Sequence, residues 1–341
     1  MTFLQEIIPE AKLSAVERAL MHTVNTTDVA EIALLNGGLS TSLVYYFTNN
    51  GNAYVMRVIM QTDPFNDPAH LFACTVIAAS IGVAPAVYYT DAADGIMITG
   101  YIEHTNLRSG FPSADILIRE LAIVIKSIHA APLFPKKMNF FNTMDTMMEH
   151  FTACGLLPEN IATELYNYYT EIRTHYPIGE TDIVSSHNDL NPGNILFDGR
   201  KIWVIDWDSA CQNDRYVDLA VVANSFVTSE ARETTFLTTY FGSFPDEHKR
   251  ARFFLMKQAC YLLHSMVIFK LALETQPSCA ILNFGICSGD LKEISMRLGN
   301  GSLLISSFEG KILYAKALLS EAMDNMRSQR FAQALMLLAD I

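Results

Sequence analysis

Apolar and polar residues recur with two different periods in the first hundred residues of the chain. Between residues 3 and 25 the apolar side chains return every three or four positions, which predicts a helix that Pro9 divides. From about residue 32 to residue 60 the period shortens to two, which predicts strands. The segment 49–52, Asn-Asn-Gly-Asn, interrupts this run with residues that tolerate positive φ, so we expect a hairpin turn there.

The rest of the chain is mostly helical in its pattern. Residues 67–82 predict a helix, and short apolar runs at 87–89 and 96–99 predict two more strands. One strand-rich interruption follows at 183–206. The helices predicted after residue 113 cover 114–131, 142–153, 158–175, 214–228, 230–240, 246–274 and 310–340. A β-rich first third followed by a helical remainder predicts an α+β protein.

The length of 341 residues is too great for one small core and suits two lobes of unequal size. We expect residues 1–100 to form an N-terminal lobe, built from a leading helix, an antiparallel sheet and one further helix. Residues 101–341 are expected to form a larger, mostly helical C-terminal lobe. Residues 101–110 are the expected linker between the two.

The charge of the chain bears on its partners. The chain has 24 lysines and arginines against 36 aspartates and glutamates, a net charge of −12. Proteins that bind nucleic acid carry a basic surface that neutralises phosphates, so nucleic acid is not an expected partner. An acidic balance is compatible with a cationic substrate, although it is also common among ordinary acidic proteins.

Cysteine spacing and the N-terminus bear on the compartment. The chain has 6 cysteines without a Cys-x-x-Cys pair, so neither a zinc knuckle nor a redox motif is expected, and free cysteines fit a reducing compartment. The N-terminus does not resemble a signal peptide. The longest apolar stretch, residues 260–273, contains His264 and Lys270 and is too short to span a membrane. We therefore expect a cytoplasmic protein without a membrane span.

The strongest chemical signal lies between residues 186 and 208. Asp189 is followed five positions later by Asn194, across a Pro-Gly turn, and an apolar strand follows. After an Asp-Gly turn, a second apolar strand ends at Asp206. Two strands joined by a tight turn place their outer ends side by side. The side chains of Asp189, Asn194 and Asp206 are therefore expected to lie within a few ångströms of one another.

Phosphoryl transfer requires such a set of oxygen-bearing side chains. A carboxylate must orient the attacking hydroxyl and accept its proton, and oxygen ligands must hold Mg²⁺ against the phosphates. Asp189 is the candidate base, and Asn194 and Asp206 are the candidate metal ligands. Asn and Asp are also common turn residues, but three of them at this spacing favour the chemical interpretation. His187 is expected to brace the loop by hydrogen bonds rather than to react.

This arrangement resembles the aminoglycoside phosphotransferase and choline kinase superfamily. The family motif is His-x-Asp, four residues, Asn, and then an apolar strand that ends in Ile-Asp-Trp or Ile-Asp-Tyr with an acidic residue next. It matches His187, Asp189, Asn194 and residues 205–208, and the resemblance extends over roughly residues 28–275. It implies a bilobal, protein-kinase-like fold with a nucleotide-binding N-terminal lobe, a catalytic C-terminal lobe, and ATP and Mg²⁺ as cofactors.

The resemblance also implies contacts to the nucleotide. The segment 36–40, Asn-Gly-Gly-Leu-Ser, is similar to the family's phosphate loop, in which glycine lets backbone N–H groups approach phosphate oxygens. Gly37, Gly38 and Ser40 are the predicted contacts in this loop.

The segment 97–103 is similar to the family's hinge between the lobes. The resemblance implies that backbone groups of Gly100 and Ile102 pair with the adenine edge.

Arg57 is the expected cation for the ATP phosphates, because it is the only lysine or arginine between Arg18 and Arg108. Choline kinases are similar in having arginine at this place. Kinase-like lobes usually hold the cation with a glutamate from a helix, and no glutamate lies between residues 31 and 103. Either Asp67 substitutes for it, or Arg57 is held in another way, or activity is weak.

The acceptor is expected to bind in the helical lobe near Asp189. Aromatic faces and carboxylates hold quaternary ammonium groups, so Asp208, Trp207 and Tyr216 are the candidate substrate contacts. The motifs at 205–208 and 215–220 are more similar to choline, ethanolamine or thiamine kinases than to drug-modifying relatives. The expected substrate is a small cationic alcohol, with choline or ethanolamine first.

Three other functions stay open. They are an aminoglycoside kinase, a thiamine kinase, and a catalytically degraded pseudokinase that binds nucleotide without turnover. The sequence lacks the Asp-Phe-Gly and Ala-Pro-Glu motifs of protein kinases, which weighs against that class. The helices beyond about residue 276 fit a lid, a homodimer surface or simple packing.

Overall fold

The computed structural model describes residues 3–35, 42–62, 67–179, 182–275 and 290–339. They form two compact units. Unit 1 combines residues 1–137 with 184–212, and unit 2 combines residues 138–183 with 213–341. Each unit is thus assembled from two stretches of chain. The functional division into residues 1–100 and 101–341 stays a prediction.

Unit 1 begins with two helices that pack on one face of a sheet. Pro9 separates the first helix from a 3₁₀ turn and the second helix, which confirms the predicted division. The helices of unit 1 are α1 (Phe3–Ile7), α2 (Leu13–Val24), α3 (Pro68–Ser80) and α4 (Ala114–His129). Val16 and Leu20 of α2 are fully buried against Phe47, Met56 and Ile98 of the sheet. This contact forms the core of the N-terminal part.

The sheet has five antiparallel strands in the order β1-β2-β3-β5-β4. Its strands are β1 (Ala30–Leu34), β2 (Leu43–Asn49), β3 (Asn52–Val58), β4 (Val87–Asp91) and β5 (Ile96–Gly100). Asn50 and Gly51 both have positive φ, 48° and 77°, as the turn between β2 and β3 requires, so the predicted hairpin is confirmed. Because side chains alternate along a strand, Arg57 lies on the face opposite Met56 and α2.

Two short pairs of strands follow, and all of their residues except Ile183, Asn213 and Asp214 belong to unit 1. They are formed from β6 (Ile183–Ser186), β7 (Ile195–Phe197), β8 (Ile202–Val204) and β9 (Cys211–Asp214). β7 pairs with β8, and β6 pairs with β9. The tight turn between β7 and β8 contains Gly199 with φ 89°, a conformation that favours glycine. These strands carry the segment that the sequence predicts to be catalytic.

Unit 2 is helical. Its helices are α5 (Phe140–Ala153), α6 (Glu159–His175), α7 (Arg215–Phe226), α8 (Glu230–Phe241), α9 (Glu247–Thr275), α10 (Leu291–Gly299), α11 (Phe308–Met326) and α12 (Gln329–Ala339). The long helix α9 packs against α5, α7, α11 and α12 and lies at the centre. None of the helices in the described part of the chain combines the length and apolar character of a membrane span.

The α+β class predicted from the sequence is confirmed by the sheet and the helical remainder. The C-terminal prediction of one helical segment, 310–340, was wrong in detail. Instead, one helix (α11) ends at Met326 and a second (α12) begins at Gln329. The hydroxyl of Ser328 accepts a hydrogen bond from the backbone N–H of Phe331 and caps the second helix. The sequence pattern also failed to predict α10.

Candidate active site

The β7–β8 hairpin brings two of the predicted site residues together. Asn194 lies directly before β7, and Asp206 lies two residues after β8. Ile195 pairs with Val204 in this hairpin. The backbone N–H of Ile205 donates to the carbonyl oxygen of Asn194 at 3.0 Å. The two outer ends of the hairpin are therefore adjacent, as the spacing in the sequence predicts.

The carboxylate of Asp189 is held by two side-chain amides. Asn194 Nδ2 donates to Asp189 Oδ2 at 3.0 Å, and also to the main-chain oxygen of Asp189 at 2.9 Å. Asn191 Nδ2 donates to Asp189 Oδ1 at 3.0 Å, while Asn191 Oδ1 accepts from the backbone N–H of Gly193 at 2.8 Å. The sequence analysis did not identify the Asn191 contact. The signal for it is an amide side chain two positions after the candidate base.

The nitrogen and the oxygen of the Asn194 side-chain amide have different surroundings. Its nitrogen faces Asp189, so its Oδ1 lies on the other side of the group and accepts no hydrogen bond from the described residues. A single side chain can thus orient the candidate base and offer an oxygen to a cation.

The loop around Asp189 is braced and conformationally unusual. Asn188 and Asp206 each have φ 64°, in the left-handed region that non-glycine residues rarely occupy. The backbone N–H of Asp189 donates to His187 Nδ1 at 3.3 Å, so His187 Nε2 carries the hydrogen and donates to the carbonyl oxygen of Ile205 at 3.0 Å. His187 is fully buried and braces the loop, as expected.

Arg57 binds the acids that follow β8. Its guanidinium makes two hydrogen bonds to the carboxylate of Asp208, one of them 2.6 Å between NH1 and Oδ1. NH1 also lies 3.5 Å from Oδ1 of Asp206. The side chain of Arg57 is 11% exposed, whereas that of Asp206 is 42% exposed. Arg57 is therefore held by Asp208, while the side chain of Asp206 stays partly accessible to solvent.

Asp67 does not hold Arg57. Its carboxylate lies 2.8 Å from Lys136 Nζ and accepts a hydrogen bond from the backbone N–H of Ala69 at the start of α3. The hydrogen bond from Lys136 is the largest cause that lowers the pKa of Asp67. The structure therefore supports the second possibility left open by the sequence, that Arg57 is held in another way. The acid that holds it, Asp208, lies outside the helix.

Burial raises the pKa of Asp208 to about 6, and this effect exceeds the lowering effect of Arg57. The neighbouring charge of Asp206 raises the pKa further. Two carboxylates beside one guanidinium leave this site with an excess of negative charge, which suits a bound cation.

The donor set fits magnesium. The described residues contain no cluster of three or more His, Cys, Asp or Glu side chains that could hold a metal ion alone. Mg²⁺ is usually bound by one or two protein oxygens together with substrate phosphates and water. Asp206 and Oδ1 of Asn194 offer hard oxygen donors of this kind. Their role as metal ligands stays a prediction.

The predicted nucleotide contacts lie partly outside the described residues, since Gly37, Gly38 and Ser40 fall in a segment that the structure does not describe. Gly100 ends β5, and its N–H donates to the carbonyl oxygen of Ala86 at 2.9 Å. This leaves the carbonyl of Gly100 rather than its N–H as the group that could pair with a base. Ile102 lies two positions after Gly100 and is half-buried. All of these contacts stay predictions.

Trp207 makes structural contacts. It is 2% exposed, its Nε1 donates to the carbonyl oxygen of Val204 at 3.2 Å, and its ring centroid lies 4.6 Å from that of His187. Trp207 therefore anchors the turn that carries Asp206 and Asp208. Nothing in its surroundings tests the predicted contact to substrate.

Tyr216 lies in unit 2, in a buried polar network. It is 2% exposed, and the guanidinium of Arg252 lies 4.5 Å from its ring centroid. Asp214 accepts from the backbone N–H of Tyr216 at 2.8 Å, from Tyr176 at 3.1 Å and from Arg252 at 3.1 Å. Arg252 also binds Asp182. Burial raises the pKa values of Asp214 and Tyr216. The predicted substrate contact of Tyr216 stays a prediction.

Solved structures share the fold of the chain. A choline/ethanolamine kinase family protein from Mesorhizobium loti is 18% identical, with a TM-score of 0.66 over 97% of this chain and 100% of that one. A choline kinase from Cryptosporidium parvum is 10% identical, with a TM-score of 0.65 over 96% and 98%. A spectinomycin phosphotransferase in complex with ADP and spectinomycin is 10% identical, with a TM-score of 0.55 over 96% and 98%. These likenesses confirm the predicted fold.

The family is shown by a sequence comparison. No curated protein sequence matches the chain. The family model described as the phosphotransferase enzyme family matches residues 31–254, which is more than half of the chain. The matched segment extends from β1 into α9 and includes the whole loop around Asp189. The chain is therefore a member of the phosphotransferase enzyme family, a kinase-type enzyme of the superfamily that its motif resembles.

Proposed function

We propose that this enzyme transfers the γ-phosphoryl group of ATP to a hydroxyl of a small cationic metabolite, with choline or ethanolamine as the first candidates. The observation that carries the proposal is the hydrogen bond between Asn194 and the carboxylate of Asp189. The β7–β8 hairpin also brings the backbone of Ile205, the residue before Asp206, against Asn194. A base candidate and two hard oxygen donors thus meet in one short segment, and phosphoryl transfer requires this set.

Asp189 acts on the acceptor in this proposal. Each of its carboxylate oxygens accepts one amide hydrogen bond, so each retains a lone pair for another donor. One oxygen accepts the hydrogen bond of the acceptor hydroxyl, orients it and takes its proton as transfer proceeds. Asn194 and Asp206 would hold Mg²⁺, which supplies charge neutralisation on the phosphates when it is bound.

The face of the sheet that carries Arg57 supports nucleotide binding. Arg57 lies on β3, and Tyr54 of the same strand pairs with Gly100 of β5. Three residues of strand separate the two positions, which is about 10 Å. This distance suits a nucleoside with its base at Gly100 and Ile102 and its phosphates at Arg57. Half-buried Val44 and Tyr46 of β2 lie on the same face and offer apolar surface for the base and sugar.

The choice of a cationic acceptor is supported by charge and by the solved structures. The net charge of −12 favours approach of a cation. Two of the structures described above are named as choline kinase or choline/ethanolamine kinase. The spectinomycin phosphotransferase supports an aminoglycoside as the second candidate.

A substrate panel tests the proposal. We expect choline or ethanolamine to stimulate ADP release by the purified enzyme with the highest kcat/KM among choline, ethanolamine, thiamine, homoserine and aminoglycosides. The Asp189→Ala variant is the control for contaminating kinases, and its acceptor-stimulated ADP release should fall by roughly 10²-fold or more. Preference for an aminoglycoside or thiamine would replace the substrate assignment. ATP binding without stimulation by any acceptor would favour the pseudokinase.

Loss of the hydrogen bond between Asn191 and Asp189 is expected to lower the rate less than loss of Asp189 itself. We expect Asn191→Ala to lower kcat roughly 10-fold, because one charge-assisted hydrogen bond that orients the base is lost. The KM for ATP should stay unchanged in the same steady-state assay, since the side chain of Asn191 bonds to Asp189 and to the backbone of Gly193, and alanine keeps the carbonyl oxygen that accepts from the N–H of Asn194.

A matched control separates orientation from folding. Asn300→Ala also removes an amide oxygen that caps a turn, here through the backbone N–H of Ser302 at 3.0 Å, and it should leave kcat unchanged. Equal losses of kcat in both variants, or an Asn191→Ala enzyme as fast as wild type, would contradict the role of Asn191.

A further inference from the structure

Arg57 must be held in place if it is to bind phosphates. An unrestrained arginine side chain loses about 2 kcal/mol of rotamer free energy when it is fixed in one geometry. The helix next to the sheet cannot supply the restraint, because α3 contains neither Asp nor Glu. Asp67, at the start of that helix, is engaged with Lys136. The restraint must therefore come from elsewhere in the chain.

Asp208 has the geometry for this task. Its two carboxylate oxygens accept from the two terminal nitrogens of Arg57, in the planar arrangement that fixes a guanidinium in orientation as well as position. The turn that carries Asp208, Trp207–Ser209, is itself anchored. The buried indole of Trp207 is bonded to β8, and the backbone N–H of Ala210 closes the turn on Trp207 at 3.1 Å.

The same turn follows directly from Asp206. The segment 206–208 would therefore fix the position of a metal held by Asp206 relative to a phosphate held by Arg57, since Asp208 binds Arg57. The distance of 3.5 Å between Arg57 NH1 and Asp206 Oδ1 shows how closely these groups approach. A carboxylate that is neutralised by arginine also attracts a cationic acceptor only weakly, which argues against a substrate contact for Asp208.

We propose that Asp208 is a positioning residue that fixes Arg57 for the phosphates of the nucleotide, and so replaces the helix acid that this chain lacks. The proposal rests on the proposed function and deepens it. It assigns the second acid of the Asp-Trp-Asp segment to the nucleotide rather than to the acceptor.

Nucleotide affinity is the decisive measurement. We expect Asp208→Asn to weaken ATP binding, measured by calorimetry with and without Mg²⁺, roughly 10-fold, because the paired guanidinium is no longer fixed. The KM for ATP should rise in parallel while the KM for the acceptor stays unchanged. Asp208→Glu, which keeps the charge, should recover part of the affinity. Asp198→Asn is the matched control, since Asp198 binds Trp203 and local backbone in the same hairpin and should leave ATP affinity unchanged.

A double-mutant cycle tests whether Asp208 acts through Arg57. In an Arg57→Met background, Asp208→Asn should have no further effect on ATP affinity. Additive effects, a rise in acceptor KM alone, or tighter ATP binding by Asp208→Asn would each overturn the assignment. A wild-type chain that binds no ATP would overturn the proposed function as well, whereas ATP binding with additive variants overturns only the assignment of Asp208.

Discussion

We expect Asp189→Ala to lower kcat by roughly 10²–10⁴-fold while ATP affinity stays nearly unchanged. The loss follows because no other described carboxylate shares the two amide contacts that fix Asp189. ATP affinity should survive because Asn194 keeps its hydrogen bond to the main-chain oxygen of residue 189, which alanine also provides. The amide of Asn194 therefore stays oriented, with its oxygen available to a cation.

Alanine is a cleaner substitution than asparagine at this position. Both oxygens of Asp189 accept from amide N–H groups, so an asparagine would direct its own NH₂ group at one of these donors. Single-turnover rates at saturating ATP and calorimetric ATP titrations would separate chemistry from binding. Asp198→Ala, in the turn of the same hairpin, controls for the loss of a carboxylate and should keep full kcat. If Asp189→Ala also kept full kcat, the base would have to be another group.

The local part of the site could be predicted from the sequence, and the long-range part could not. Asp189, Asn194 and Asp206 lie within a short segment, where two apolar strands and a tight turn determine which ends meet. The partner of Arg57 is different, because Asp208 is 151 positions away along the chain. No period or spacing connects two residues at that separation, so the sequence left open whether Asp67 or another group holds Arg57.

Burial bears on the predicted substrate contacts, which stay predictions. Trp207 and Tyr216 have the chemistry of a cation-binding site, but both side chains are buried in the structure. A sequence shows what a side chain can bind, while tertiary packing decides what reaches it. At the boundary between α11 and α12, the hydroxyl of Ser328 caps α12, inside a run that otherwise keeps helical spacing. A single serine in such a run is a weak signal for a helix boundary.

Asp206→Asn is expected to lower kcat/KM by roughly 10²–10³-fold, the scale of removing one preorganised electrostatic group from a transition state. It should also shift half-maximal activation to a higher Mg²⁺ concentration. Asparagine is preferable to alanine here because Asp206 has φ 64°, and Asn tolerates this left-handed conformation better than other side chains. The substitution therefore removes the charge without adding backbone strain, and the thermal unfolding midpoint should change little.

Comparison of Asp206→Asn with Asp208→Asn distinguishes the loss of a metal ligand from the loss of the residue that holds Arg57. The two acids flank Trp207 and both face Arg57, so a general loss of negative charge would affect them alike. If Asp206 holds the metal and Asp208 holds the arginine, only Asp206→Asn shifts the Mg²⁺ activation curve. Only Asp208→Asn then weakens ATP binding in the absence of Mg²⁺. An Asp206→Asn enzyme with the wild-type Mg²⁺ dependence would remove Asp206 from the metal site, because a lost ligand must change the metal concentration that the enzyme needs.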